Sequence, residues 1–540
     1  MLGLMMDYPL TIDKMVKRAN QVFPHKEIVS VMPSGRRHRY TYHDLYERVV
    51  RLMNVLRKLG VKEGDRIATF MWNHFRHLEL YFAIPSLGAV THTINVRLSE
   101  EQLEYIINHA EDSLLFVDAS LLQALEPMAG KMPTVRQIIV VTEDGVIPET
   151  SFDNVLDFEA LMAQADDTVD FPEFDERTAC GMCYTSGTTG NPKGVMYTHR
   201  GIFLHTLMTG FADMYGLRER DVLMPVVPMF HANAWSAPYV AAMVGCKLVY
   251  AGSDVSPEAL LPLIREEGVT SSLGVPTIWN GVLQHLAKHG GDLGDLKTLV
   301  VGGSSAPRAM IETFQKKYGV EFVHAWGMTE MSPLGTMNRL QGRMQDWSEA
   351  RQFGALSRVG IPGPLVEVRI MGDDGEEMPW DGQSAGELEV RGPAVVSSYY
   401  NNPAAAGQFS DDGWFRTGDV ATVDENALVQ ITDRTKDLIK SGGEWISSVE
   451  MENLLMALPN VLEAAVVARP DAKWDERPVA FIVPTEAGPP TNDEVRAHLA
   501  SAFAKWQLPV DEDIRVIAQI PKTSVGKFDK KVLRSQMEGA

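Results

Sequence analysis

The chain has little cysteine, no excess of positive charge and no long uninterrupted apolar run, and each shortage removes a class of function. Three cysteines among 540 residues, Cys180, Cys183 and Cys246, cannot build a disulfide framework, which fits a reducing cytoplasm. Cys180 and Cys183 form one C-x-x-C, but no second pair and no histidine at zinc-finger spacing accompanies it. Two small strand residues are therefore a better reading than a metal or redox centre. Fifty Lys and Arg against 71 Asp and Glu give a formal net charge of -21, the wrong sign for binding nucleic acid or an anionic membrane. Any anion must be captured locally. The most apolar stretch, AWSAPYVAAMVGC, is broken by Pro238 and ends at Lys247, so no membrane span is expected. The opening MLGLMMDYPLTIDKM lacks a basic n-region and carries Asp7 and Pro9, which makes it a poor signal peptide.

What is present reads as a globular chain of roughly two to four structural units. From Asp65 to about Ala325, short apolar or β-branched runs (DRIATFMW, SLLFVDA, KLVYAG, LKTLVVGG) alternate with amphipathic stretches such as PEALLPLIREEG and PRAMIETFQKKYG. That alternation predicts a large α/β domain of mostly parallel, helix-covered sheets, with ligands at the loops after the strands. Thr41 stands three residues before Asp44 as a helix cap, and Gly60 closes RVVRLMNVLRKLG. From about Gly363, LVEVRIMGDDGEEM, GELEVRG and ALVQITDR predict a small antiparallel β unit. After Arg434 the texture changes to α+β, with Ser447 and Glu450, then Thr491 and Glu494, at capping-box spacing. The domains are expected at residues 1–433 and 434–540.

The stretch YTSGTTGNPKGV, Tyr184 to Val195, follows the apolar strand TACGMCYT. Its glycines, Gly187 and Gly190 among them, can turn several N–H groups into one concavity, a nest for phosphate. Thr185, Ser186, Thr188 and Thr189 add hydroxyl donors and Lys193 a point charge. It is not a Walker A loop, because the lysine neither directly follows the glycine nor precedes Ser or Thr. Taken alone it would be read as a Gly/Thr-rich surface loop.

Its companions change that reading. YTSGTTGNPKG, PMFHANAW (228–235), GGSSAP (302–307), AWGMTE (325–330), FRTGDV (415–420), DRTKDLIKSGGEWISSVE (433–450) and PKTSVGK (521–527) stand in the order seen in the adenylate-forming superfamily. The chain resembles that superfamily of acyl-CoA synthetases, luciferases and peptide-synthetase adenylation domains over nearly its whole length. The resemblance implies a two-step ligase using ATP, Mg²⁺ and coenzyme A: carboxylate attacks the α-phosphorus of ATP, and a thiol then displaces AMP. It places adenine against Gly302, Gly303 and Ser304, with Ala325, Trp326, Gly327 and Met328 on the nucleotide side. Thr329 would meet the α-phosphate, Glu330 would hold Mg²⁺, and Asp419 with Arg434 would hold the ribose. Lys527 would offset charge between carboxylate and α-phosphate during adenylation. The resemblance makes the C-terminal domain mobile about Lys436, and the thiol channel is expected near Lys440, Gly442, Gly443, Glu444 and Trp445.

For the acid, amino-acid-activating relatives place an aspartate after the motif aromatic, whereas here Phe230 is followed by His231. That disfavours amino acids. Trp235 and GGEWISSVE resemble fatty-acyl-CoA ligases, in which the tryptophan gates an acyl tunnel; Phe230, Gly302 and Pro333 are expected to face the substrate with it, and His231 to join Lys527, Thr329 and Glu330 as a catalytic residue. Within that branch the chain also resembles bacterial 3-methylmercaptopropionate–CoA ligases. Short or medium-chain fatty acids and 3-methylmercaptopropionate are the expected substrates, with long-chain acids or a luciferase-like adenylating oxygenase as alternatives. A silent nucleotide-binding protein would lack the combination of Glu330, Asp419, Arg434 and Lys527. No carrier domain follows Lys527, so diffusible CoA is the expected acceptor; a homodimer is left open.

Overall fold

The computed structural model describes residues 1, 3–185, 191–441, 444–471, 473–523 and 527–538. Two sheets of nine and seven strands carry the chain as far as Pro362. In the larger, Thr298–Val301 lies between Ser271–Gly274 and Glu321–Gly327, all parallel, and the sheet turns antiparallel at Leu334–Asn338 and Ile361–Pro362. In the smaller, Arg66–Phe70 is central and parallel to both neighbours, and Ala179–Tyr184 ends the parallel run by pairing antiparallel with Gly194–Thr198. The buried apolar runs Leu114 to Val117 and Leu299 to Val301, within the strands Leu114–Asp118 and Thr298–Val301, are what a sheet covered on both faces requires.

The local signals act as expected in most places. Thr41 and Asp44 form a reciprocal capping box on the helix Tyr42–Lys58, and Gly60 follows its end with φ 75°. Thr491 and Glu494 form a second box on Asn492–Leu499. Ser447 achieves only half of one: its Oγ accepts from Glu450 N at 3.0 Å but donates to the Thr432 carbonyl. Pro238 does not break an apolar helix but begins one, sitting in the first turn of Ala237–Val244. No described helix is long and apolar enough to cross a membrane.

Four antiparallel strands, Glu367–Met371, Gly386–Arg391, Phe415–Val423 and Val429–Arg434, form the small β unit. Arg434 ends that sheet and Ile439 begins the next, so residues 435–438 join the two. The C-terminal sheet pairs Val461–Asp471 antiparallel with Asp475–Pro484 and adds Ile514–Val516 in parallel. Its helices Ser448–Leu455 and Asn492–Leu499 cover a core of Ile439, Met451, Val466, Ile482 and Leu499. Asn453 Nδ2 donates to Ser305 Oγ at 3.1 Å, and exposed Lys288 pairs with Glu486 at 3.1 Å, across the two halves of the molecule. The three cysteines are free and buried, Cys180 and Cys183 on the strand that leads into the glycine-rich loop.

Candidate active site

One cleft of about 1980 Å³ collects residues from both halves: Thr185, Lys193, His231, Trp235, Gly302, Gly303, Ser304, Ala325 to Glu330, Pro333, Asp419, Arg434, Lys436 and Lys527 all line it. Gly302 to Ser304 and Met328 to Glu330 follow strand ends, where a mostly parallel sheet opens toward ligand, while Asp419 and Arg434 come from the antiparallel unit. Ser186, Gly187, Thr188, Thr189 and Gly190 lie outside the described residues, as do Gly442 and Gly443. The base of the glycine-rich loop is described: Thr185 N donates to the Lys193 carbonyl at 2.9 Å, and Lys193 N to Thr185 Oγ1 at 3.3 Å.

Asp419 and Arg434 face each other in the register of adjacent strands, with Nε 3.2 Å from Oδ1. Asp419 is 5% exposed, and its second oxygen accepts from Trp326 Nε1 at 2.8 Å. Held from two sides, the buried carboxylate is fixed in direction. Thr329 and Glu330 occupy a single 3-10 turn, 8% and 7% exposed. Tyr197 donates to the Thr329 carbonyl at 2.8 Å, and Val396 N to the Glu330 carbonyl at 2.9 Å, so the turn is pinned from two sides. Burial pushes the Glu330 carboxyl up, opposed by the Tyr399 hydroxyl at 2.7 Å and by the charges of Lys193 and Arg434.

Lys527 reaches this group from the C-terminal half. Burial lowers its ammonium to about 8; Arg434 and Lys436 act in the same direction, while Asp419 and Glu330 oppose them. His231 is pushed down to about 4 by burial and by the charge of Lys527, so its imidazole is neutral near pH 7. A chain of net charge -21 thus gathers Lys193, Arg434, Lys436 and Lys527 around one cleft.

The glycines in the wall are there for close approach. A Cβ at Gly302 would stand 2.8 Å from the Ala325 carbonyl oxygen, and one at Gly327 would collide with the Pro333 carbonyl at 2.0 Å. Trp235 lies on an unusual turn: Ala232, Asn233, Ala234, Trp235 and Ser236 all have positive φ, from 42° to 63°. One left-handed residue with a side chain costs roughly 1–2 kcal/mol. Five in a row persist only where the surroundings over-determine them.

Some sequence expectations fall elsewhere. Phe230 is 3% exposed and packs behind the cleft wall against Trp72, with ring centroids 6.3 Å apart, so it does not line the substrate side. Lys440 and Trp445 pair with each other across a short hairpin, where Trp445 is 52% exposed, and Glu444 begins the same short strand; neither Lys440 nor Trp445 lines the cleft in this arrangement. Two residues that the sequence did not suggest join the cleft. Tyr399 donates to Glu330, and Gln408 accepts from Lys193 Nζ at 2.7 Å while that ammonium sits 4.9 Å above the Tyr399 ring. Neither has a local sequence signal, because both reach the site from the antiparallel unit by tertiary folding.

Comparison with known proteins agrees with this geometry. Residues 16–400 match the AMP-binding enzyme family, and residues 450–527 match the AMP-binding enzyme C-terminal domain. The chain is 47% identical to a long-chain-fatty-acid–CoA ligase of Thermus thermophilus, over 98% of this chain and 96% of that one. It is 43% identical to a 3-methylmercaptopropionyl-CoA ligase of Ruegeria lacuscaerulensis, covering 100% of this chain and 99% of the relative. Among solved structures, ATP-bound MatB from Rhodopseudomonas palustris superposes with a TM-score of 0.83 at 26% identity, over 98% of this chain and 99% of that one. The phosphate-loop base, the paired Asp419 and Arg434 and the Thr329–Glu330 turn therefore sit in a recognised frame: the chain belongs to the AMP-binding enzyme family.

Proposed function

We propose that this chain joins a short- or medium-chain fatty acid, or 3-methylmercaptopropionate, to coenzyme A through an acyl-adenylate. It is an AMP-forming acid–CoA ligase, with ATP and CoA as co-substrates. The observation that carries the reading of the site is the convergence of Lys527 with Asp419, Arg434, Thr329 and Glu330 in one cleft. In the first step a carboxylate oxygen forms a bond to the α-phosphorus and pyrophosphate leaves. Two anions must meet for this, and the buried ammonium of Lys527 offsets their repulsion and the charge that builds in the transition state. Asp419 accepts the ribose hydroxyls, with Arg434 holding the carboxylate in place. Lys193 is poised beside the loop base to leave Gln408 for the phosphates.

In the second step the CoA thiolate forms the thioester bond and AMP leaves with the anhydride electrons. Lys527 has no work there. We take residues 434–540 to turn as a body about Lys436, withdrawing Lys527 and bringing the Gly442–Gly443 segment with Lys440 and Trp445 to the thiol channel. The exposure of Trp445 supports such a movement. Fixing φ with Lys436→Pro should then trap one orientation. A variant with both half-reactions intact would remove Lys436 from the mechanism.

The donor set at Glu330 suits Mg²⁺. Among the described residues no three His, Cys, Asp or Glu side chains cluster as a metal cage. One carboxylate beside a threonine fits a hard cation that keeps waters and takes its remaining oxygens from phosphate. Bound there, the ion supplies positive charge against the phosphates. Cytoplasmic location is supported by three free buried thiols, and a homodimer by the exposed apolar side chains of Met1, Leu4, Met5, Met6 and Tyr8.

The deciding experiment is CoA-dependent AMP release over propionate, 3-methylmercaptopropionate, octanoate and palmitate, with pyrophosphate exchange measured without CoA. Preference for the first three supports the proposal. Preference for palmitate replaces it with a long-chain ligase, and exchange without thioester replaces it with another adenylating chemistry.

A further inference from the structure

The left-handed turn that carries Trp235 needs anchors, and the fold supplies two. Tyr215 OH donates to the Trp235 carbonyl at 2.7 Å. His205, on the helix His199–Thr209, lies with Nδ1 2.8 Å from Ser236 Oγ at the end of the turn. The other ring nitrogen is also used: Leu334 N donates to His205 Nε2 at 3.0 Å. All three residues are buried.

The backbone donor fixes the chemistry of the ring. Leu334 N–H requires a lone pair on Nε2, so a neutral His205 carries its proton on Nδ1 and donates it to Ser236 Oγ. The Ser236 hydroxyl proton is then free for the Ser332 carbonyl, at the long distance of 3.5 Å. The four groups close a ring around Pro333, running from Leu334 N–H through both nitrogens of His205 and the hydroxyl of Ser236 to the carbonyl of Ser332. Burial pushes the imidazole down to about 3, so it stays neutral. The clamped loop is in turn tied to the nucleotide side, because Met328 N donates to the Pro333 carbonyl at 2.9 Å and Ser332 N to the Thr329 carbonyl at 3.4 Å.

We propose that His205 and Ser236 are positioning residues that couple the acid wall of the cleft at Trp235 to the nucleotide wall at Thr329 and Glu330. A displacement of the Trp235 turn moves Ser236, and the ring passes it to Ser332 and Leu334, the first of which directly follows the turn bearing the phosphate-side residues. Occupation of the acid site therefore changes the affinity for ATP, and by reciprocity ATP changes the affinity for acid. This coupling rests on the ligase reading of the cleft; the proton position on His205 does not.

Two measurements on the full chain test it. In ¹⁵N-histidine NMR, the ring signals lost in His205→Gln should be those of an imidazole protonated at Nδ1 and unprotonated at Nε2, unchanged across about pH 5–8. A ring protonated at Nε2, or at both nitrogens, overturns the clamp. For the coupling, the Kd of α,β-methylene-ATP is measured with and without saturating octanoate. Wild type should show a ratio on the order of five or more, within the usual range of site coupling. Ser236→Ala, a small buried change that keeps the fold, should leave the ATP-analogue Kd without acid within about twofold and bring the ratio close to one. A wild-type ratio of one, or equal ratios in the two proteins, overturns the proposal. Failure of pyrophosphate exchange with every acid would instead indict the ligase reading, while the NMR result would still decide the clamp on its own.

Discussion

Lys527 packs over Gly303: a Cβ added to that glycine would stand 3.7 Å from Lys527 Cε and 3.9 Å from the Trp235 ring. The lysine from the C-terminal end of the chain thus sits against Gly303 and Trp235 inside the cleft. Gly303, at φ 88°, gives it room that a side chain would remove.

The proposed mechanism gives Lys527 work in one half-reaction only. Lys527→Ala should lower the adenylation rate by a factor on the order of a hundred to a thousand, the usual loss of one preorganised charge stabiliser. Supplied with synthetic acyl-AMP and CoA, the same variant should form thioester at near wild-type rate. If both half-reactions fall together, the lysine is structural.

The pH dependence follows from the same group. Below about 8 Lys527 is charged and able to offset the two anions; above it the amine is neutral. kcat/KM for adenylation, which reports the free enzyme, should therefore fall as pH rises through about 8, with no matching limb in the thioester half-reaction. His231, titrating at about 4, should add no rising limb near neutrality. An adenylation profile that stays level well above pH 8 would assign the step to another cation.

Trp235→Ala should alter the order of preference among acids by about tenfold or more while the KM for ATP moves by less than about threefold, if the indole beside Gly302 and Gly303 serves the acyl group as proposed. Equal shifts in both constants would count against a gate.

The Tyr399 hydroxyl holds Glu330 in direction. Tyr399→Phe removes a hydrogen bond to a charged group, of the kind that contributes roughly 1.5–3 kcal/mol. Mn²⁺ affinity of the ATP complex, read by water proton relaxation, should weaken about tenfold or more. Glu330→Ala should abolish it, and Glu330→Asp should recover in part at raised Mg²⁺. Unchanged ion affinity in Tyr399→Phe would reduce that contact to packing.

Signals that act within a few residues were readable directly. The reciprocal boxes at Thr41 and Thr491 and the left-handed Gly60 are local hydrogen-bond and φ requirements, and they appear as expected. Ser447 shows the limit: its hydroxyl found the Thr432 carbonyl, a partner set by tertiary packing. The pairing of Asp419 with Arg434 depends on strand register, and only family resemblance suggested it. Tyr399, Gln408 and His205 left no mark in their own neighbourhoods, because each is recruited by a different element to a shared cleft or clamp. Phe230 was misplaced for the converse reason. It adjoins His231 in sequence, but its ring packs behind the wall.

The three buried cysteines have a chemical meaning beyond packing. An acyl-adenylate is an acylating agent, and any accessible thiolate nearby would compete with CoA for it. Burial pushes the thiols of Cys180, Cys183 and Cys246 up, and Cys183 is further occupied with Thr93 Oγ1 at 3.2 Å. Because nucleophilicity belongs to the thiolate, these sulfurs stay silent at neutral pH. The protein can generate an activated acid without acylating its own cysteines, and the incoming thiol meets no rival among them.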